Sequence, residues 1–358
     1  MRILLVNPFG IGDVLFSLPL VRALRSTQRE GFLGYLSNRR TADLVDSWDE
    51  LNWHGVFEKD EFRMAWRKSR NQGITLLWKV VRSVREQQFD LLIDLSLGWQ
   101  IGLAGLLAGI PRRIGFDFRN RGRFLTARLP IEGFHTQRVS DYYLDLLSLV
   151  GIPKPDKIDA QLRVPPHLNE EIDLILRERG ISSKRPWVGL VPGGGASWGP
   201  FAIYKQWPPD RFARVGDSLA TRFGAQIILF GDSRELSLCQ QVAGAMKTVP
   251  QMVIQAPSLL LLAGLLHRCN LVVGNDGGTL HLACAVGTRT VSIFGPVDGS
   301  VYGPAPGETA HRVVSKELAC RPCYQGFRFP PCPWDNACLK ELAVESVLEA
   351  AEDLLSSQ

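Results

Sequence analysis

The stretch LVVGNDGGTLHLACAVGTRTVSIFGP, residues 271–296, leaves a chain that contains it few ways to fold. Its pattern predicts a buried strand over 271–273, a tight polar turn at Gly274-Asn275-Asp276-Gly277-Gly278, a small-residue helix over about 279–286 and a second strand over 290–294. Continuous apolar strands joined through a helix form a β-α-β unit, which requires a parallel sheet buried on both faces. The glycines let backbone come close to a ligand, and the first amides of the helix point outward at the positive end of its dipole. Phosphate is the usual occupant of such a place. Asp276 stands out there, since a carboxylate beside a phosphate needs a partner of its own, such as a sugar hydroxyl or the helix amides. It also reads as a plain helix N-cap.

With 358 residues, the chain is too long for one ordinary core and suits two domains. Its 45% hydrophobic and 22% charged residues are those of a water-soluble globular protein. No apolar run approaches the roughly 18 residues of a membrane span, the longest being 101–110 and 259–266. Asp13 interrupts the apolar N-terminus, which lacks a small-residue cleavage pattern, so a cytoplasmic protein is expected. Residues 1–165 hold 24 Lys+Arg against 18 Asp+Glu, an excess of +6, whereas the remainder holds 17 against 18. A basic first half suits an anionic partner or membrane headgroups as well as a plain solvated surface. Nucleic acid is disfavoured, because no reader motif or dense basic run with stacking aromatics appears.

Along the chain, residues 2–7 read as a strand, followed by Pro8-Phe9-Gly10-Ile11-Gly12-Asp13 and an amphipathic helix to about residue 25. The dinucleotide fingerprint is incomplete, since Leu15 occupies the third glycine position after Gly10 and Gly12. Asp13 falls at the carboxyl end of the first strand, where open α/β sheets bind ligands, and it reads equally as a helix cap. A short strand near 34, a helical stretch near 41–46, an amphipathic helix over about 74–87 and a strand over 89–95 follow. This alternation argues for a doubly wound sheet. The basic run 112–123, which includes Arg119 and Arg121, reads as a loop able to carry binding residues, or as solvated surface. Residues 151–166 read as the linker, so that domains are expected over 1–165 and 166–340, with the closing helix (about 341–358) packing back on the first.

In the second half a strand over 187–191 runs into Gly193, Gly194 and Gly195, whose amides can wrap an anion, and Lys205 can add a point charge. Tight-turn glycines beside a surface lysine are the bland alternative. A strand over 226–230 ends at Asp232, which can accept from ribose hydroxyls or cap a helix. Of seven cysteines, Cys239, Cys269 and Cys284 have the surroundings of small core residues. The others, Cys320, Cys323, Cys332 and Cys338, are compatible with a structural zinc, although the second pair lacks the usual spacing.

Three segments together carry a resemblance: GIGDVLFSLPLVRALR (10–25), VGLVPGGGASWGPFAIYKQWP (188–208) and GNDGGTLHLACAVGTRTVSIFGP (274–296). In this order the chain resembles glycosyltransferase family 9, the lipopolysaccharide heptosyltransferases, over nearly its whole length. The resemblance implies an α/β protein of the GT-B class, two Rossmann-like doubly wound domains facing a central cleft, the N-terminal one for the acceptor and the C-terminal one for the nucleotide sugar. It implies transfer of a heptose from ADP-heptose to inner-core lipopolysaccharide with inversion. Asp13 then matches the general base, Lys205 a phosphate ligand, and Asp276, Gly277, Gly278 and His281 the donor sugar-phosphate site. Gly193 to Gly195 add amides to it, and Asp232 marks the ribose region. Gly12, Arg119 and Arg121 fall to the acceptor. Where the family often has hydroxyl residues before its Gly-Asp pair, Phe9 and Gly10 stand here, so that amides would have to serve. The chain holds no Asp-x-Asp pair, which agrees with a mechanism that requires no metal cofactor. A lipid-linked anionic acceptor places the protein in the cytoplasm with peripheral contact at the inner membrane. A nucleotide-sugar epimerase or hydrolase on the same fold, a transferase for another glycan, and a non-catalytic nucleotide-sugar-binding protein are the rival readings.

Overall fold

A computed structural model describes residues 1–181, 184–305 and 309–356, and divides the chain into two compact units, 1–160 and 161–358. The first unit runs β1 (Arg2–Asn7), α1 (Ile11–Thr27), β2 (Phe32–Ser37), α2 (Ala42–Asp46), β3 (Trp53–Val56), α3 (Lys59–Lys68), α4 (Arg70–Glu86), β4 (Leu91–Asp94), α5 (Trp99–Leu107), β5 (Arg112–Phe118), β6 (Ala127–Ile131) and α6 (Val139–Asp145). The second runs α7 (Asn169–Glu178), β7 (Trp187–Val191), α8 (Pro209–Phe223), β8 (Gln226–Gly231), α9 (Leu236–Ala245), β9 (Gln251–Ile254), α10 (Leu259–His267), β10 (Leu271–Asn275), α11 (Gly278–Ala285), β11 (Thr290–Ile293), α12 (Gly299–Tyr302), β12 (His311–Val314), α13 (Ala337–Lys340) and α14 (Val344–Ser356).

Each unit is built on a parallel sheet of six described strands, ordered β3-β2-β1-β4-β5-β6 in the first and β12-β11-β10-β7-β8-β9 in the second. Counted from the first strand of its own unit, each order is 3-2-1-4-5-6, the doubly wound arrangement. The order reverses between β1 and β4 in one unit and between β7 and β10 in the other. In such sheets the crevice beyond the carboxyl ends of the two strands at the reversal is where ligands bind. The strands there are the most apolar of the chain because they are covered on both faces: Leu4, Leu5 and Val6 of β1 and Leu271 to Val273 of β10 are all buried.

Two segments differ from their sequence reading. The basic run 112–123 begins as strand β5, whose Ile114, Phe116 and Phe118 are buried while Arg112 is exposed and Arg113 and Asp117 are half-buried, and only 119–123 is a turn. Helix α3, dense in charge, was not anticipated. The closing helix α14 packs within the second unit. Val344, Val347, Ala351, Leu354 and Leu355 join the core of the second, beside Trp207 and Leu219.

Candidate functional site

In the second unit, two glycine loops meet at the reversal of strand order. The chain leaves β7 into Pro192, Gly193, Gly194 and Gly195, and leaves β10 into Asp276 and Gly277. A Cβ on Gly277 would sit 3.4 Å from the backbone of Gly194 and Gly195, so the loops are in van der Waals contact. Asn275, fully buried, ties them together: its Nδ2 donates to the Pro192 carbonyl at 2.7 Å and its Oδ1 accepts from the Trp207 amide at 3.1 Å. Gly195 takes φ +83°, a left-handed conformation that glycine adopts at little cost. Gly277 caps α11 without a side chain, so the first amides of that helix lack a side-chain acceptor.

Asp276 is therefore not the helix cap that the sequence allowed. Its Oδ2 lies 2.6 Å from Lys205 Nζ, both side chains 4% exposed, and its Oδ1 lies 3.1 Å from His281 Nε2. Burial alone would raise the Asp276 pKa, but Lys205 and His281 outweigh it and hold the carboxyl below its ordinary value. His281 reaches back from the first turn of α11, while Lys205 ends the 3₁₀ segment Ala196–Lys205. The site thus presents outward amides, a buried ammonium and a carboxylate whose charge the ammonium offsets.

Asp232, at the end of β8, caps its own loop. Its Oδ1 accepts from the Arg234 amide at 2.8 Å and the Glu235 amide at 3.2 Å, and Arg234 also pairs with its Oδ2. Burial opposes ionisation, but Arg234 and these amides lower its pKa overall. Glu235 bridges the loops. Its carboxylate accepts from the Asp232 amide at 3.2 Å and lies against Gly193, where a Cβ would stand 1.9 Å from Oε1. Burial, with the Asp232 charge adding, raises the Glu235 pKa.

The first unit repeats the device. Buried Asn7, at the end of β1, donates from Nδ2 to the Asp13 carbonyl at 2.9 Å and accepts from the Phe9 amide at 3.3 Å. Asn38, at the end of β2, donates to the Phe9 carbonyl and so fixes the loop from the other side. Asp13 stands in the first turn of α1, half-buried next to Gly12, and Gly10 rather than Asp13 is the helix cap. Across the reversal lies Asp94, at the end of β4 and 3% exposed, which no sequence pattern singled out. Arg119 and Arg121 are exposed on the turn after β5, with their guanidinium carbons 4.9 and 5.6 Å from the Phe118 ring centre.

The four C-terminal cysteines are free thiols around one small cavity lined also by Tyr204, Phe329 and Trp334. Among the described residues no group of three or more His, Cys, Asp and Glu side chains is disposed to hold a metal, so the zinc expectation gains no site. Cys239 and Cys269 are buried, with thiol pKa values pushed up to about 12 by burial.

With this geometry in hand, the chain can be set beside known proteins. The family model for glycosyltransferase family 9 (heptosyltransferase) matches residues 77–327. Lipopolysaccharide heptosyltransferase 2 of Escherichia coli (strain K12) is 25% identical over 310 residues, 83% of each chain. A solved family 9 glycosyl transferase from Veillonella parvula superposes with a TM-score of 0.84 at 21% identity, covering 100% of this chain and 98% of its own. Escherichia coli ADP-heptose LPS heptosyltransferase II gives 0.77 at 24%, covering 100% and 99%. These likenesses establish the shared GT-B fold.

Proposed function

The chain belongs to glycosyltransferase family 9, and on that premise we propose that it moves a heptose from ADP-heptose to an inner-core lipopolysaccharide acceptor, with inversion and with Asp13 as general base. One observation carries the reading: at the strand-order reversal of the second unit, two glycine loops, a helix N-terminus and the buried Lys205–Asp276–His281 cluster gather in one place. Those groups have the chemistry of a sugar diphosphate site.

The residues divide the work as follows. The Gly193 to Gly195 amides and the free amides at Gly277 and Gly278 receive the diphosphate. Lys205 shares its charge between the diphosphate and Asp276, and His281 keeps the second Asp276 oxygen engaged. Asp232 meets the ribose. Asp13 accepts the proton of the acceptor hydroxyl as that oxygen attacks the anomeric carbon. The bond from that carbon to the diphosphate oxygen breaks on the opposite face, and ADP leaves with the electron pair. A carboxylate in hydrogen-bond reach of the hydroxyl supplies general base catalysis, and preorganised amides with Lys205 stabilise the charge that grows on the leaving oxygen. A single displacement inverts the anomeric centre. Gly12, Arg119 and Arg121 face the acceptor, where arginines can pair with its phosphates and carboxylates. The reaction takes place at the cytoplasmic side of the membrane that carries the acceptor.

Incubation of the protein with ADP-heptose and heptose-deficient core lipopolysaccharide tests the reading. Release of ADP together with a heptosylated acceptor is the expected result. Consumption of ADP-heptose without acceptor, or no turnover with any ADP-sugar, contradicts it. In calorimetry, Lys205→Ala should bind ADP about ten to a hundred times more weakly, the loss of one charge-assisted phosphate contact. Unchanged affinity would take Lys205 out of the site.

A further inference from the structure

The first unit contains a cavity of about 590 Å³ that the proposed chemistry leaves unused. It lies between one face of the sheet, at Leu4, Val6, Leu36 and Leu92, and helices α3, α4 and α5. A close-packed interior leaves few voids larger than a water molecule, so a space of this size is a binding cavity rather than a packing defect. Among its described lining side chains only Arg67 and Gln100 are polar. Water held there would lack the two to four polar partners it needs, so the suited occupant is hydrocarbon.

Its opening has a definite character. Trp66, Arg67 and Leu107 line the cavity and also reach solvent, Trp66 at 46% and Leu107 at 41% exposure. Around them α3 and α4 leave Met64, Ile74 and Trp78 uncovered, at 62%, 42% and 51% exposure. Ile74 and Trp78 are one turn apart on the same helix face. Residues 59–86 hold eight Lys+Arg against three Asp+Glu, a net +5 that equals the formal charge of the whole chain. Exposed Arg67, Lys68, Arg70, Lys79, Arg82 and Arg85 are part of it. Tryptophan and basic residues on one amphipathic surface are suited to the boundary between headgroups and acyl chains. No helix among the described residues is long and apolar enough to cross a membrane, so a contact of this kind is peripheral.

We propose that the α3–α4 pair is a membrane-docking surface for anionic phospholipid, and that the cavity beneath it takes an acyl chain of a bilayer lipid through the opening at Trp66 and Arg67. The cavity lining includes none of the residues of the Asp13 loop. It goes beyond the transferase reading and is tested without turnover.

The test is sedimentation of the full chain with vesicles of phosphatidylcholine alone or mixed with phosphatidylglycerol. A parallel measurement uses lipids brominated on the acyl chain, which quench tryptophan within contact distance. Binding is expected to the anionic vesicles only and to fall steeply with salt, since added ions screen surface charge. Trp78→Ser with Ile74→Ser should weaken it about tenfold, the worth of losing two apolar anchors. The charge variant Lys79→Glu with Arg85→Glu should abolish it. Val80→Phe, which narrows the cavity without changing surface charge or adding a tryptophan, should reduce the bromine quenching of Trp66 that Trp66→Phe identifies. Circular dichroism reports whether each variant is folded, and the two surface pairs carry the test if Val80→Phe is not. Equal binding to neutral vesicles, no effect of either surface pair, or binding only when lipopolysaccharide is included would each overturn the proposal. ADP release with a deacylated, water-soluble acceptor should be unchanged in the two surface variants, so failure of the docking proposal is separable from failure of the transferase reading.

Discussion

Asp94 is sealed at the end of β4, and burial lifts its carboxyl to a pKa of about 7 against the hydrogen bond from the Ser96 amide at 2.8 Å. In the unfolded chain the same group titrates near 3.8. The folded protein therefore holds a proton that the unfolded chain has already released. The stability this contributes is present in full below about pH 4 and is lost as pH rises toward 7, a difference of a few kcal/mol. Asp94→Asn is neutral at every pH and escapes that loss. Thermal melts should show a gain in Tm for the variant that grows between about pH 4 and pH 7 and then levels off. A gain independent of pH would mean that Asp94 is ionised in the folded protein. Asp276 shows the opposite balance: equally buried, it stays ionised because Lys205 and His281 are in contact with it.

At the scale of elements, the loop after β7 works because its glycines have no room for side chains. A Cβ at Gly193 would meet the tip of the Glu235 side chain, which can turn aside, whereas a Cβ at Gly194 would stand 2.6 Å from the Ala202 carbonyl, which cannot. Gly194→Ala should cost about 1–3 kcal/mol in denaturant unfolding, as overpacked sites do, and Gly193→Ala should cost less. Equal losses would contradict the packing of this loop. Much of this architecture was legible beforehand. The GNDGG turn announced the β10–α11 junction, and the glycine triplet announced the loop opposite it, because a strand followed by glycines and a helix has few other uses. Other parts were not legible for physical reasons. Asn7 looks like a strand end and Asn275 like a turn residue in sequence, and only the fold shows them buried, Asn7 holding its own loop and Asn275 tying two loops together. Glu235 looks like a surface helix residue until the β8 and β7 loops come together. The strand β5 was hidden by its own charges, since Arg112 and Arg113 open it and Asp117 interrupts its apolar run. The partners of Asp276 come from positions 71 residues upstream and five downstream, which no local pattern connects.

At the scale of the whole molecule, the chain uses one sheet order twice and assigns different chemistry to the two reversals. The first carries carboxylates, Asp13 and Asp94, at the ends of a basic unit. The second carries amides and Lys205 in a unit of nearly balanced charge. An acid-base group beside an anionic acceptor, and an anion site for a diphosphate, is the division that a glycosyl transfer requires. The four cysteines and α13 fall outside that division, and they line the small cavity beside Phe329 and Trp334. On the proposed reading, binding of the donor belongs to the second unit and removal of the proton to the first, so the two functions should be separable by mutation.

That separation is measured most directly with Asp13→Asn, by following heptose transfer from ADP-heptose while calorimetry records the affinity for ADP. A fall in turnover of about a hundredfold to ten-thousandfold, the usual worth of a general base, with ADP affinity and melting temperature unchanged, is the predicted result. Turnover near that of the unaltered protein, or an equal loss of ADP binding, would contradict the assignment of Asp13 as the base.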